Sequence, residues 1–220
     1  MMRRLCFATV ALPCVGLMTL AFGCASHGPS VSSESNPWFA AASSGGESQL
    51  EAARSSGAYV NAHERGDYNT PLHVAAMAGN LGAVRFILAS GGDINAVDED
   101  GRTALVMALH NRQGAAAVVL IEANADLEIR DRQHNTALMF AARRGLIDAI
   151  RAMITRHVNL DAQNANGKSA LHFAAEYGQL EVVRVLRSAG ASTTIRDDKG
   201  RTPRDYAVAK NFPDIVKALD

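Results

Sequence analysis

The chain has 220 residues, room for one domain of ordinary size with extensions. Its 22 Lys and Arg balance 22 Asp and Glu, and this zero formal charge removes the electrostatic argument for nucleic-acid binding. Hydrophobic residues make up 48% but aromatics only 5%, so the apolar surface is carried by small side chains that suit thin, closely stacked helical layers.

The first 23 residues read as a secretion signal: MMRR is a positive n-region and LCFATVALPCVGLMTLAFG an apolar run ending at Cys24. An uncleaved anchor is the alternative, since the run is long enough to span a bilayer; Pro13 and the small residues before Cys24 weigh against it. AFGC resembles the lipobox of bacterial lipoproteins, although Ala21 and Phe22 depart from the commonest pattern, and cleavage at GCA by ordinary signal peptidase stays open. The lipobox resemblance implies a diacylated Cys24 at the new N-terminus. Ala25 rather than Asp after it fits the enterobacterial rule for the outer membrane. Cys6 and Cys14 leave with the signal, so the mature chain holds no free thiol and no disulfide, which suits an oxidising compartment.

Residues 24–35, Ser-rich and without apolar periodicity, read as a lipidated Cys and a flexible tether. The folded part runs from 36 to 220. Within it TPLHVAA begins at 70, TALVMAL at 103, TALMFAA at 136, SALHFAA at 169 and TPRDYAV at 202, an unvarying step of 33. A degenerate copy over 36–69 aligns at an offset of 34, because HERGDYN carries one extra residue. In each unit a Thr or Ser N-cap opens a first helix: Thr70, then Pro71, with Leu72, Ala75 and Ala76 on one face and Gly79 as C-cap. Val84, Ile87 and Leu88 mark a second helix, stopped at Gly91-Gly92, and AVDEDGRT returns as an extended hairpin. Such a unit cannot bury its apolar face alone, so neighbours must stack into an all-α solenoid.

TPLHVAA, SALHFAA, the Gly at 79 and the DxxGxT pattern at 98–103 and 197–202 resemble the ankyrin repeat, over all of 36–220. The resemblance implies a helix–turn–helix plus a β-hairpin finger per 33-residue repeat, with 202–220 as a C-terminal capping repeat. There Arg204 replaces the core Leu and Asp205 the His; Pro37-Trp38-Phe39 seals the other end. It implies also that His73 and His172 hydrogen-bond neighbouring loops, and that a protein partner lies against the finger tips and inner helices.

No catalytic set emerges. His63, His110, His134 and His157 lie in four different units with no pair at ligand spacing, so neither metal nor cofactor is expected. A hydrolase using His110 or His134 is the enzyme alternative, to be tested by alanine at both. The expected partner-binding residues are His110 and Asn111, Arg143 and Arg144, and Glu176 and Tyr177 on the inner helices, with Arg130, Arg132 and His134 on a finger. The arginines form a basic band, flanked by Asp98, Glu99 and Asp100 before it and by Glu176, Asp197 and Asp198 after it. Either it receives an acidic patch of a partner or adjacent fingers exchange surface ion pairs worth about 0–1 kcal/mol each. Arg112, His134 and Asn211 stand where other repeats have Gly, so left-handed backbone is expected at all three. The stripe Val74, Met107, Phe140, Phe173 and Tyr206 reads as inner-helix packing rather than a ligand groove. The whole reads as a non-catalytic monomer that binds protein in a bacterial envelope, as a toxin-neutralising immunity protein or as a scaffold of a resident stress-defence enzyme. A secreted host-directed effector is a further alternative.

Overall fold

Helices of seven to nine residues are too short to persist alone in water, so their pairing decides the architecture. In the computed structural model, which describes residues 29–32 and 35–220, they stack in two parallel layers. The first helix of each unit, α1 (Pro37–Ser44), α3 (Pro71–Ala78), α5 (Ala104–His110), α7 (Ala137–Arg144), α9 (Ala170–Glu176) and α11 (Pro203–Ala209), packs against its predecessor. The second helices, α2 (Glu47–Ser55), α4 (Leu81–Ala89), α6 (Gly114–Glu122), α8 (Ile147–Thr155), α10 (Leu180–Ser188) and α12 (Pro213–Leu219), form the other layer.

One core runs through the stack. Leu72, Leu105, Leu138 and Leu171 occupy the same position in four units, each no more than 1% exposed, and each burial contributes roughly 1.5–3 kcal/mol. Alanines beside them (Ala75, Ala108, Ala141, Ala174) are fully covered, which brings the layers close. At the N-terminal end Trp38 is buried and donates its indole N–H to Ala58 O at 3.0 Å, while Asn36 caps α1 through Trp38 N. At the C-terminal end Arg204 pairs with Asp220 at 2.6 Å instead of entering the core. The polar capping is incomplete. Val208 is 54% exposed, although its equivalents Ala76, Leu109, Ala142 and Ala175 are buried by a following repeat.

The fingers are hairpins too tight for extended sheet: beyond the pairing of the first finger, the antiparallel bridge Val97–Thr103 is the sheet structure among the described residues. One main-chain bond closes each later finger (Asp98 N to Arg102 O, Asp131 N to Asn135 O, Asn164 N to Lys168 O and Asp197 N to Arg201 O, 2.9–3.1 Å), and a side chain reinforces it. Asp98 Oδ1 accepts from Asp100 N at 2.9 Å and Arg102 N at 2.8 Å; Asp131, Asn164 and Asp197 do the same in the next three fingers. An Asx side chain that closes its own turn makes longer strand pairing unnecessary. Fingers then stack through main-chain bonds, Glu99 N to Asp67 O, Arg132 N to Asp100 O, Ala165 N to Gln133 O and Asp198 N to Asn166 O, all 2.8–3.1 Å. A second ladder joins the units: Asn61, Asn95, Glu128 and Asp161 each accept from a backbone N–H of the following unit at 2.7–2.9 Å.

The extra residue of the first finger is absorbed in its turn, which closes from Tyr68 N to Glu64 O, one residue wider than the Gly101 N to Asp98 O closure of the next. Glu64 in place of the Asx residue explains the difference, since its longer side chain cannot cap a tight turn. Against this finger, within the segment read as tether, Ser30–Val31 (β1) pairs in parallel with His63–Glu64 (β2). Alternating small polar and β-branched residues suffice for two rungs, a signal too short to read beforehand.

Candidate functional site

The inner-helix candidates come together because the 33-residue period is constant: α5, α7 and α9 end side by side. His110 closes α5, Asn111 is its C-cap and donates Nδ2 to Met107 O at 2.9 Å. Arg143 and Arg144 form the last turn of α7, favourably placed at the helix's negative end. The His110 ring meets Phe140 edge-on at 6.1 Å, and the Arg143 guanidinium lies over the Tyr177 ring at 4.8 Å. His110 is held below the ordinary imidazole pKa, first by burial and then by the charges of Arg144, Arg102 and Arg143. Neither Arg143 nor Arg144 has an ion-pair partner among the described residues, and the Nε of each is buried with no acceptor. Beside them Asn135, Met139, Phe140, Arg143 and Phe173 enclose a dimple of about 30 Å³, the share of a single water or methyl group.

The finger candidates have different surroundings. Arg130 donates to Gln163 O of the next finger at 3.0 Å. Arg132 reaches Glu99 and Asp100 of the preceding finger, both at 3.8 Å and exposed, so these pairs add little. His134 is exposed at φ 60, and Arg112 and Asn211 are left-handed too, at φ 62 and 58. Of the flanking acids, Asp98 is consumed within its own finger by Arg102 at 2.8 Å, and Glu176 by Lys168 at 2.8 Å. The expected band is therefore two groups, engaged arginines on the finger and unpaired ones at the helix ends.

A third cluster escaped the sequence reading. Tyr206 OH donates to Asp197 Oδ2 at 2.6 Å, and Arg201 pairs with the same carboxylate at 2.9 Å. Lys168 and Arg201 lie 4.4 and 4.3 Å from the Tyr206 ring centre. The Asp197 carboxyl lies well below its usual range: burial works against ionisation, but the Tyr206 and Arg201 hydrogen bonds outweigh it. For Lys168 burial works downward too, and the bonds to Glu176 and Tyr206 reverse it to a raised pKa. Its signal was available in the i,i+4 spacing of Asp197 and Arg201, which repeats that of Asp98 and Arg102. Every charge in it has a partner, so it locks the last two units together.

His73 and His172 are 1% and 0% exposed. Each Nδ1 accepts from the N-cap backbone N–H (Thr70 and Ser169, both 3.1 Å) and each Nε2 donates to the next finger's carbonyl, Arg102 O at 3.0 Å and Arg201 O at 3.1 Å. Both rings bond a neighbouring loop, as the resemblance implied. Of the packing stripe, Met107, Phe140 and Tyr206 are buried while Val74 and Phe173 are half-buried. No group of His, Cys, Asp or Glu among the described residues could hold a metal ion, and no described helix is long and apolar enough to cross a membrane. Cys24, the leader and most of the tether lie outside the described residues.

Stacked helix pairs with exposed ends and stacked fingers define the class, a repeat solenoid that works by surface recognition. A family model described as ankyrin repeats, in three copies, matches residues 38–131, 115–197 and 138–219, and the chain belongs to the ankyrin repeat family. Over 67 residues it is also 36% identical to the ARF GTPase-activating protein Git of Drosophila melanogaster, which covers 30% of this chain and 9% of that protein. The chain therefore spans less than a tenth of that relative's length. Ankyrin repeats imply protein–protein interaction.

Proposed function

We propose that the protein is exported, is tethered to a bacterial envelope membrane by a lipidated Cys24, and binds another protein of that compartment through the ends of α5, α7 and α9 and the adjoining fingers. The observation that supports the binding site is the pair Arg143 and Arg144, half-buried at the end of α7 without an ion-pair partner among the described residues, whereas Arg102, Arg130, Arg156 and Arg201 donate to oxygens of their own chain. The export reading rests on MMRR, the apolar run and AFGC. The reading includes a monomeric, non-catalytic role.

The test is palmitate labelling and fractionation of cells expressing the native chain or Cys24→Ser, with affinity capture from the solubilised envelope. Label and membrane association lost in Cys24→Ser, with one envelope protein captured by the native chain, are the expected results. Capture of a toxin would assign neutralisation, and capture of a resident enzyme a scaffold role. Soluble, unlabelled native protein would refute the tether.

A further inference from the structure

The ends of the first helices form one row in which basic side chains outnumber acids. Along this row stand Met77 and Ala78, His110 and Asn111, Arg143 and Arg144, Glu176 and Tyr177, and Ala209 and Lys210. The single acid of the row, Glu176, is already held by Lys168 at 2.8 Å. Arg143 is fixed in place by the Tyr177 ring at 4.8 Å, and a stacked guanidinium keeps its N–H edge free for a planar acceptor. Arg144, Arg102 and Arg143 all act on the His110 ring, and of the three only Arg102 is paired with carboxylates, Asp98 at 2.8 Å and Asp100 at 3.2 Å. Neither Arg143 nor Arg144 has a carboxylate partner among the described residues, and a carboxylate meets a guanidinium with two parallel bonds. Next to them the dimple walled by Met139, Phe140 and Phe173 takes one small apolar group.

We propose that this row receives a short acidic segment of a protein partner, with carboxylates on Arg143 and Arg144 and a small aliphatic group in the dimple between Phe140 and Phe173. The proposal rests on the protein-binding reading above and narrows its site to the helix ends. Charge complementarity sets the occupant's length. Two guanidiniums without an ion-pair partner among the described residues match a segment of two or three acids.

The test uses the full chain in detergent micelles against a display library of random peptides about twelve residues long, and then fluorescence anisotropy of the selected peptide. Enrichment should give paired Asp or Glu next to Ala, Val or Leu. Arg143→Gln and Arg144→Gln should each weaken binding about tenfold or more, the loss of one charge-assisted contact. Raising salt from about 50 to about 500 mM should weaken it further. Arg151→Gln/Arg184→Gln, on the second-helix layer, should change nothing, and matched thermal melts confirm that all variants fold. The proposal is overturned by any of four results: no peptide enriched, enrichment without acids, unaltered affinity in Arg143→Gln/Arg144→Gln, or displacement of the peptide by an equal concentration of single-stranded oligonucleotide. Envelope capture fails or succeeds independently of all four, so the broader reading is judged separately.

Discussion

Replacing His172 by Ala removes a ring that is fully buried and used at both nitrogens. Two main-chain groups, Ser169 N–H and Arg201 C=O, lose their partners at 3.1 Å, and each buried unsatisfied group costs about 1–3 kcal/mol. The edge contact with Tyr206 at 5.8 Å also goes. The sum is about 3–5 kcal/mol, a large share of a domain stability of roughly 5–15 kcal/mol. His172→Met separates volume from hydrogen bonding, because Met139 fills the equivalent position of the preceding unit while fully buried. It should cost about 2–4 kcal/mol, less than Ala but far from neutral. Because contacts in a solenoid run between neighbours, the damage should concentrate in α11 and α12. Urea unfolding would give the energy, and hydrogen exchange its location. A loss below about 1 kcal/mol for His172→Ala, or uniform exchange along the chain, would refute the idea that these rings bolt each first helix to the next finger.

Three further predictions follow from the same geometry. His73 and His172 are both held below the usual imidazole pKa, chiefly by burial, against the raising effect of their backbone bonds; a depressed folded pKa means that the unfolded chain binds more protons, so their contribution is full above about pH 6.5 and is lost as pH falls below it, by up to about 1.4 kcal/mol per pH unit for each. Urea midpoints at about pH 7.5 and 5.5 should show this drop in the native chain and a flatter response in His73→Met/His172→Met; equal slopes would contradict it. Arg112→Gly and His134→Gly relieve left-handed backbone at exposed side chains, and each should stabilise by about 0.5–1 kcal/mol after the added freedom of the unfolded chain is counted, visible as a raised Tm. Asp131→Ala removes bonds to Gln133 N, Asn135 N and Asn135 Nδ2 at 2.7–2.9 Å; a cost of about 2–3 kcal/mol with faster exchange confined to its finger is expected, and no change would mean that main-chain bonds and stacking hold the turn without the side chain.

The register of the fold was legible because every unit repeats the same N-cap, Leu and Ala positions at a fixed step, and burial follows that step from Leu72 to Leu171. Left-handed backbone at Arg112, His134 and Asn211 was legible for the same reason, by comparison with glycines one unit away. Asn124 and His157, at φ 68 and 55, carry the identical signal against Gly91 and Gly190 at the ends of the second helices. The first finger was illegible because its pairing with Ser30–Val31 depends on two residues with no pattern of their own. At the candidate site, alignment placed His110, Arg143, Arg144 and Tyr177 at the helix ends, but charge alone could not tell engaged from unpaired arginines. That distinction depends on reach. Arg132 extends to Glu99 and Asp100, whereas Arg143 folds onto Tyr177.

The central claim is that a protein partner docks on the helix ends. A photo-crosslinking amino acid placed at exposed Tyr177, and in a second strain at Arg151 on the other helix layer, tests it in the living cell. The account predicts one discrete cross-linked protein from position 177 and none from 151. Adducts of the same kind from both positions, or from 151 alone, would contradict it.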